Sequence, residues 1–394
     1  YYAMARKRAA AGAEPEGSGA ASVGPHEKRV RGGMSGAGRG GREVRESAGK
    51  GEPTSAWAEE DPASLLSCVK IHAGGERSVL MPWVGLGTYK FKGSGAAQRA
   101  VSQAVSAGYG LVDTAFVYGG EKTEVEVGRA VRSLPRNQIF ITTKHWRAFH
   151  GYEATLKCLD TSLRRLGVEY VDLWLMHWPG PAYSTMARKK EVIEQSPEGA
   201  FVYAKEGHDQ ASLPSLRAET WRAMEAALRA GKCRAIGVSN FTEAHLEELK
   251  KTAQVWPPAV NQVELHPYHQ QEDLRRYCAR EGIVVQAYAS LGGQDAGRGQ
   301  LDTLGGPLVD NSIIKGIAER RSTSPAQVLL RWALQLGCPV IPKSASRDRI
   351  TENAALFGWE LDAADMEKIR GLDQPPTASR LCWKRDPLRF LDFE

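Results

Sequence analysis

Eight short apolar runs recur along the chain, at residues 83–88, 110–115, 138–144, 171–177, 235–240, 259–265, 283–290 and 339–344. Each is a nearly continuous apolar run rather than an alternating one, as expected for parallel strands covered on both faces. Between them lie "AAQRAVSQAVSAG", "ATLKCLDTSLRRLG" and "TWRAMEAALRAGK", with apolar residues at i, i+3 and i+4 and a glycine near the end. That spacing predicts amphipathic helices. Strand and helix alternate around the full set, which predicts an α/β protein with a (β/α)8 TIM barrel. The competing architecture is a doubly wound open sheet. It usually carries G-x-G-x-x-G after its first strand, and "GLGTYK" lacks that spacing.

Ahead of the first run, "SCVKIHAGGERSVLMP" alternates, turns at Gly74-Gly75 and alternates again, which predicts an N-terminal hairpin. Two segments break the rhythm. Residues 179–216, after the fourth run, form a long polar loop containing Pro179, Pro181, Pro197 and Pro214. In a barrel this loop lies on the C-terminal face, where active sites sit. Residues 372–394 form a tail without clear periodicity. Residues 1–62 are rich in Gly, Ala and Arg, with almost no aliphatic side chains, and read as a disordered extension ahead of a barrel domain at 63–394. "ARKR" and "EKRVR" within it read first as a solvated basic tail and second as address signals.

Composition narrows the function classes. The net charge of +6 resides mostly in the first fifty residues, where ten Lys or Arg and five Glu leave +5, so the remainder carries only +1. A nucleic-acid-binding surface is therefore not expected. No apolar run reaches the ~18 residues of a membrane span, and no secretory signal is apparent. The six cysteines, Cys68, Cys158, Cys233, Cys278, Cys338 and Cys382, form no C-x-x-C pair and read as reduced thiols of a cytoplasmic protein. His266 and His269 in "LHPYHQQ" lack a completing Cys or acidic cluster, so no metal site is expected.

In a barrel the C-terminal ends of the strands converge on one pocket. Here those ends are polar: Asp113 with Tyr118 beyond it, Lys144, His177, Ser239 and Asn240, Gln262 and Glu264, Tyr288, and Lys343 and Ser344. A nearby ammonium favours the phenolate of a tyrosine and makes it a better acid. On that reasoning Lys144 would tune Tyr118, Asp113 would hold Lys144, and His177 would bond a substrate oxygen. Such a set protonates a carbonyl oxygen as it becomes an alkoxide. The accompanying hydride must come from a nicotinamide. A buried ion pair and a core histidine are the structural alternatives for the same residues.

At these positions the sequence resembles the aldo-keto reductases. "GLVDTAFVYGGEKTEVEVGRAV", "ITTKHW", "YVDLWLMHWP", "AIGVSNF", "AVNQVELHPY" and "VIPKSASRDRITEN" are similar to six family motifs, in order, between about residues 68 and 372. The resemblance implies an NADPH-dependent reductase of a small-molecule aldehyde or ketone, monomeric by family habit. It implies a catalytic set of Asp113, Tyr118, Lys144 and His177, with Tyr118 the proton donor. For the cofactor it implies Thr88 and Asp113, then Ser239, Asn240 and Gln262 at the carboxamide, and Tyr288 stacked on the nicotinamide. Ser290 and Leu291 would also contact the cofactor. Lys343, Ser344 and Arg349 would hold the 2′-phosphate, with Glu352 and Asn353 near the adenine. Two cations at a 2′-phosphate favour NADPH over NADH. Tyr89, Trp146, His177 and Trp178 would line the substrate pocket. Tyr89 stands where many members carry Trp, and Ala289 where Ser is common, which alters one pocket wall and one phosphate contact. Within the same superfamily, a cofactor-bound regulatory subunit is the rival function; a barrel isomerase or aldolase would bind no nicotinamide.

Overall fold

In the computed structural model, the described residues are 62–120, 122–181, 213–293 and 298–382. The predicted extension up to residue 61, most of the predicted loop (182–212) and the end of the tail (383–394) lie outside them.

The hairpin forms first. Strands β1 (Cys68–His72) and β2 (Ser78–Pro82) pair antiparallel, with Cys68 opposite Pro82 and His72 opposite Ser78. Their period-2 pattern buries Val69, Ile71, Val79 and Met81 and leaves Lys70 and Leu80 exposed. Those buried side chains join the main core, so the hairpin covers apolar surface that the barrel would otherwise leave in water.

Seven parallel strands then pair strictly in sequence order: β3 (Leu86–Gly87), β4 (Leu111–Asp113), β5 (Phe140–His145), β6 (Val171–Met176), β7 (Cys233–Ser239), β8 (Val260–Glu264) and β9 (Val284–Tyr288). Every residue of β4, β5, β6 and β8 is buried, which is why these runs read as continuous rather than alternating. The predicted helices appear as Ala96–Ser106, Tyr152–Leu166 and Leu213–Arg229, each with a buried apolar face. The last of these begins at Leu213, so residues 213–216, expected as loop, are helical.

The eighth run closes the ring without forming a regular strand. Val340 bridges both Val84 and Ala287 in parallel sense. Its N–H donates to Trp83 O at 2.9 Å and its carbonyl accepts from Gly85 N at 2.9 Å. Pro339 O accepts from Ala287 N at 2.8 Å, and Pro342 O from Gly87 N at 3.1 Å. The two prolines lack N–H donors, which breaks the ladder where a full strand over 339–344 was expected. The seam is also tight: a Cβ on Gly87 would fall 2.6 Å from the Ile341 carbonyl oxygen. The architecture is a (β/α)8 barrel with a thinly bonded eighth stave.

The predicted tail is partly structured. Residues Pro376–Ser379 form a short helix, and Leu381 and Cys382 are buried.

Candidate active site

Strand β4 ends at Asp113, and the chain then folds back over the barrel mouth. Phe116 N donates to Lys144 O at 3.2 Å and Tyr118 N to Ala115 O at 3.1 Å. That turn brings the Tyr118 phenol back to the strand ends. Lys144, in β5, is fully buried and donates to Asp113 Oδ1 at 2.5 Å, Thr114 O at 2.9 Å and Tyr118 Oη at 3.4 Å. His177, one residue beyond β6, lies edge-on to Tyr118 with ring centroids 5.9 Å apart.

The charges favour a protonated phenol. Enclosure of the Tyr118 hydroxyl, then the Asp113 carboxylate, hold its pKa well above the usual value. The Lys144 ammonium is shared between the Asp113 carboxylate and the Tyr118 hydroxyl, and enclosure of the phenol outweighs its pull toward the phenolate. Burial lowers the Lys144 pKa, and Asp113 opposes that. Burial, with Lys144 and Arg147 nearby, holds His177 well below its usual value, so the imidazole is neutral at neutral pH. Its Nδ1 has no partner.

Asp113, Tyr118 and His177 face a cavity of about 300 Å³, with Lys144 behind Asp113 and Tyr118. The cavity lining includes Thr88, Tyr89, Asp113, Tyr118 and His177, then Ser239, Asn240, Gln262, Tyr288, Ser290 and Leu291, and also Lys343 and Arg349. Several of these polar groups bond one another. Gln262 Nε2 donates to Asp113 Oδ2 at 2.8 Å and to Gln286 Oε1 at 2.7 Å. Asn240 Nδ2 donates to His177 O, and Tyr288 Oη to Asn240 Oδ1 at 2.8 Å. Ser290 Oγ is buried and without a partner. Asn240 and Ala289, beside this stretch, both hold left-handed backbone, at φ 63 and 56. For a residue with a Cβ, and for Ala especially, this is a sparsely populated conformation of the kind found at ligand sites.

Some expected residues lie elsewhere. Trp146 and Trp178 are buried behind His177 in a small cluster with Phe149 and Cys158, and do not reach the cavity wall. Ser344 Oγ turns to the Ser346 backbone, accepting from its N–H at 3.1 Å. Asn353 is buried at the end of the helix Arg347–Glu352, while Glu352 is half-buried there. Cys382, Gly293 and Ile341 line the cavity without having been expected. Cys382 carries no local motif; only the folding of the tail brings it there. Among the described residues no group of His, Cys, Asp or Glu is placed to hold a metal ion.

A cavity whose lining combines a phenol with two cations suits a nicotinamide dinucleotide phosphate, and the buried, unpartnered Ser290 hydroxyl and the Asn240–Tyr288 pair belong to the same lining.

Comparison with known proteins gives the same reading. Residues 84–374 match the model of the aldo/keto reductase family. Glyoxal reductase of Bacillus subtilis is 40% identical over 313 residues, covering 79% of this chain and 95% of that protein. Human aldo-keto reductase family 1 member A1 is 35% identical over 315 residues, covering 78% and 90%. A crystal structure of a Bombyx mori aldo-keto reductase in complex with NADP superposes with a TM-score of 0.63 at 29% identity, covering 78% and 94%. The chain therefore belongs to the aldo/keto reductase family, as an NADPH-dependent oxidoreductase that reduces an aldehyde or ketone to the alcohol.

Proposed function

We propose that Tyr118 is the proton donor of this reduction and that Asp113, Lys144 and His177 set it for the task. The observation that carries the reading is that Asp113, Tyr118 and His177 line one cavity together with Lys343 and Arg349, while Lys144 bonds Asp113 and Tyr118 from behind. Bound NADPH supplies the hydride to the carbonyl carbon. The Tyr118 O–H bond breaks and its proton goes to the carbonyl oxygen. The phenolate left behind sits 3.4 Å from the Lys144 ammonium, which offsets the new charge. Asp113 and the Thr114 carbonyl keep that ammonium in place. His177, neutral, orients the carbonyl by a hydrogen bond.

Thr88, Asp113, Ser239, Asn240 and Gln262 hold the nicotinamide end on this reading, with Tyr288 against the ring. Ser290 and Leu291 follow along the phosphates. Lys343, Ser344 and Arg349 hold the 2′-phosphate, with Glu352 and Asn353 near the adenine. Tyr89 and His177 bound the substrate, with Trp146 and Trp178 backing His177. The working unit is a cytoplasmic monomer with its barrel at 63–394. Five of the six cysteines are buried and none of the six is in a disulfide, which suits a reducing compartment. No described helix is long and apolar enough to cross a membrane.

The test is consumption of NADPH with a panel of aromatic and aliphatic aldehydes. Tyr118→Phe is expected to lose about 10²-fold or more in kcat, the usual worth of a general acid, while NADPH affinity holds. Equal turnover by Tyr118→Phe would refute the role.

A further inference from the structure

The end of β8 carries a cluster that the reduction does not use. Glu264 is buried, its Oε1 accepting from Leu381 N at 2.6 Å and Cys382 N at 3.0 Å, and its Oε2 from Cys382 N at 3.1 Å. His266 Nε2 lies 3.0 Å from the same carboxylate. A few residues on, His269 Nδ1 lies 2.8 Å from Ser379 Oγ, and Gln374 N donates to Tyr268 O at 3.1 Å. Gln270 N donates to Asp373 Oδ1 at 3.0 Å. Residues 264–270 thus gather the C-terminal segment 373–382 at successive points.

The last of these points is the one that shapes the cavity. Cys382 lines the cavity, and a Cβ on Gly293 would fall 2.7 Å from its Sγ. The tail therefore closes against the backbone that follows β9 with no room to spare. Two consecutive backbone donors are buried there, and a carboxylate is the strongest acceptor a side chain can offer them.

We propose that Glu264 is a positioning residue for carbonyl reduction: by holding the amides of Leu381 and Cys382 it fixes the tail as a wall of the cavity, and so sets which carbonyl substrates fit. The proposal rests on the reading of this cavity as the reduction site. His266 and His269, which resemble metal ligands in the sequence, belong to the same docking surface.

The test uses the full chain and a maleimide probe, with labelled cysteines located by mass spectrometry. In wild type, Cys158, Cys233, Cys278, Cys338 and Cys382 are all buried, so all five should react slowly. Glu264→Ala is expected to speed labelling of Cys382 about tenfold or more, the effect of losing a charge-assisted pair of hydrogen bonds. The other four should keep their wild-type rates. Glu264→Gln, which retains one acceptor oxygen, should fall between. In parallel, Glu264→Ala should raise KM for a small aldehyde about tenfold, with NADPH affinity changed less than about twofold. An unchanged Cys382 rate in Glu264→Ala would overturn the proposal. Equal acceleration of all five thiols would overturn it too, since Glu264 would then hold the fold as a whole. A wild type without turnover would sink the functional reading alone, because the labelling rates report docking without reference to catalysis.

Discussion

The Lys144 ammonium meets the Asp113 carboxylate at 2.5 Å with side-chain exposures of 0% and 2%. A pair so deeply buried owes its stability to both members being present. Replacing one leaves an uncompensated charge, which typically costs about 3–5 kcal/mol. Lys144→Met should therefore lower the urea midpoint markedly as well as abolish reduction. The double variant Asp113→Leu with Lys144→Met should be more stable than Lys144→Met alone, yet equally inactive. Single variants within about 1 kcal/mol of wild type would mean that the pair is not acting as a buried ion pair.

Acid should destabilise the protein through its buried imidazoles. Burial pushes His145 down to about 4 and His269 down to about 3. Both folded-state values lie below that of a free imidazole, so the unfolded chain binds more protons in this range. The stabilising contribution is present above about pH 6.5 and is lost as pH falls toward 4. For His145 it amounts to about 3 kcal/mol at most, given its shift to about 4. Urea midpoints between pH 7 and pH 4 should fall, and His145→Gln should flatten the slope.

Cofactor preference should respond to Lys343 and Arg349. Burial and the neighbouring Lys92 lower the Lys343 pKa, so an incoming phosphate relieves an existing repulsion. Lys343→Met and Arg349→Met should each raise KM for NADPH about tenfold, given ~1.5–3 kcal/mol for a charge-assisted bond, and leave KM for NADH nearly unchanged. Parallel losses for both cofactors would place the 2′-phosphate elsewhere.

Gly128, inside the helix Lys122–Val131, sets two effects against each other. Helix propensity favours Ala over Gly by about 1 kcal/mol. A Cβ at this position would lie 2.3 Å from the Leu166 carbonyl oxygen, on the backbone of the next helix. Backbone cannot move aside as a side chain tip can, so the clash should win. Gly128→Ala is expected to lower the melting temperature; a rise would show that the helices separate at little cost.

Most of the barrel was legible because a parallel strand covered on both faces writes an unbroken apolar run into the sequence, and a glycine often marks the end of a helix. The ends of the runs were less so. Residues 339–344 have the apolar character of a strand, but Pro339 and Pro342 remove the donors that a ladder needs. Asp113, Lys144 and His177 were legible because each lies at a strand end, where barrel geometry dictates convergence. The direction of the Tyr118 pKa was not, since it depends first on how completely the fold encloses the hydroxyl and then on the Asp113 carboxylate beside it. Glu264 with Leu381 and Cys382 was beyond reach for another reason: the partners are 117 and 118 residues apart, and neither segment has a periodicity that names the other.

The seam at Val340 has a bearing on motion. Elsewhere the ring is stitched by regular ladders, while Val340 contributes only isolated bridges to Val84 and Ala287. Lys343 lies three residues beyond Val340, and Thr88 lies just past β3 on the other side. The staves flanking the seam thus both carry groups that line the cavity. Amide hydrogens along this joint have fewer bonds to break before they meet water, so exchange should breach the barrel here first. A molecule seated across Thr88 and Lys343 would act as the missing stitch, and its arrival should slow that breathing.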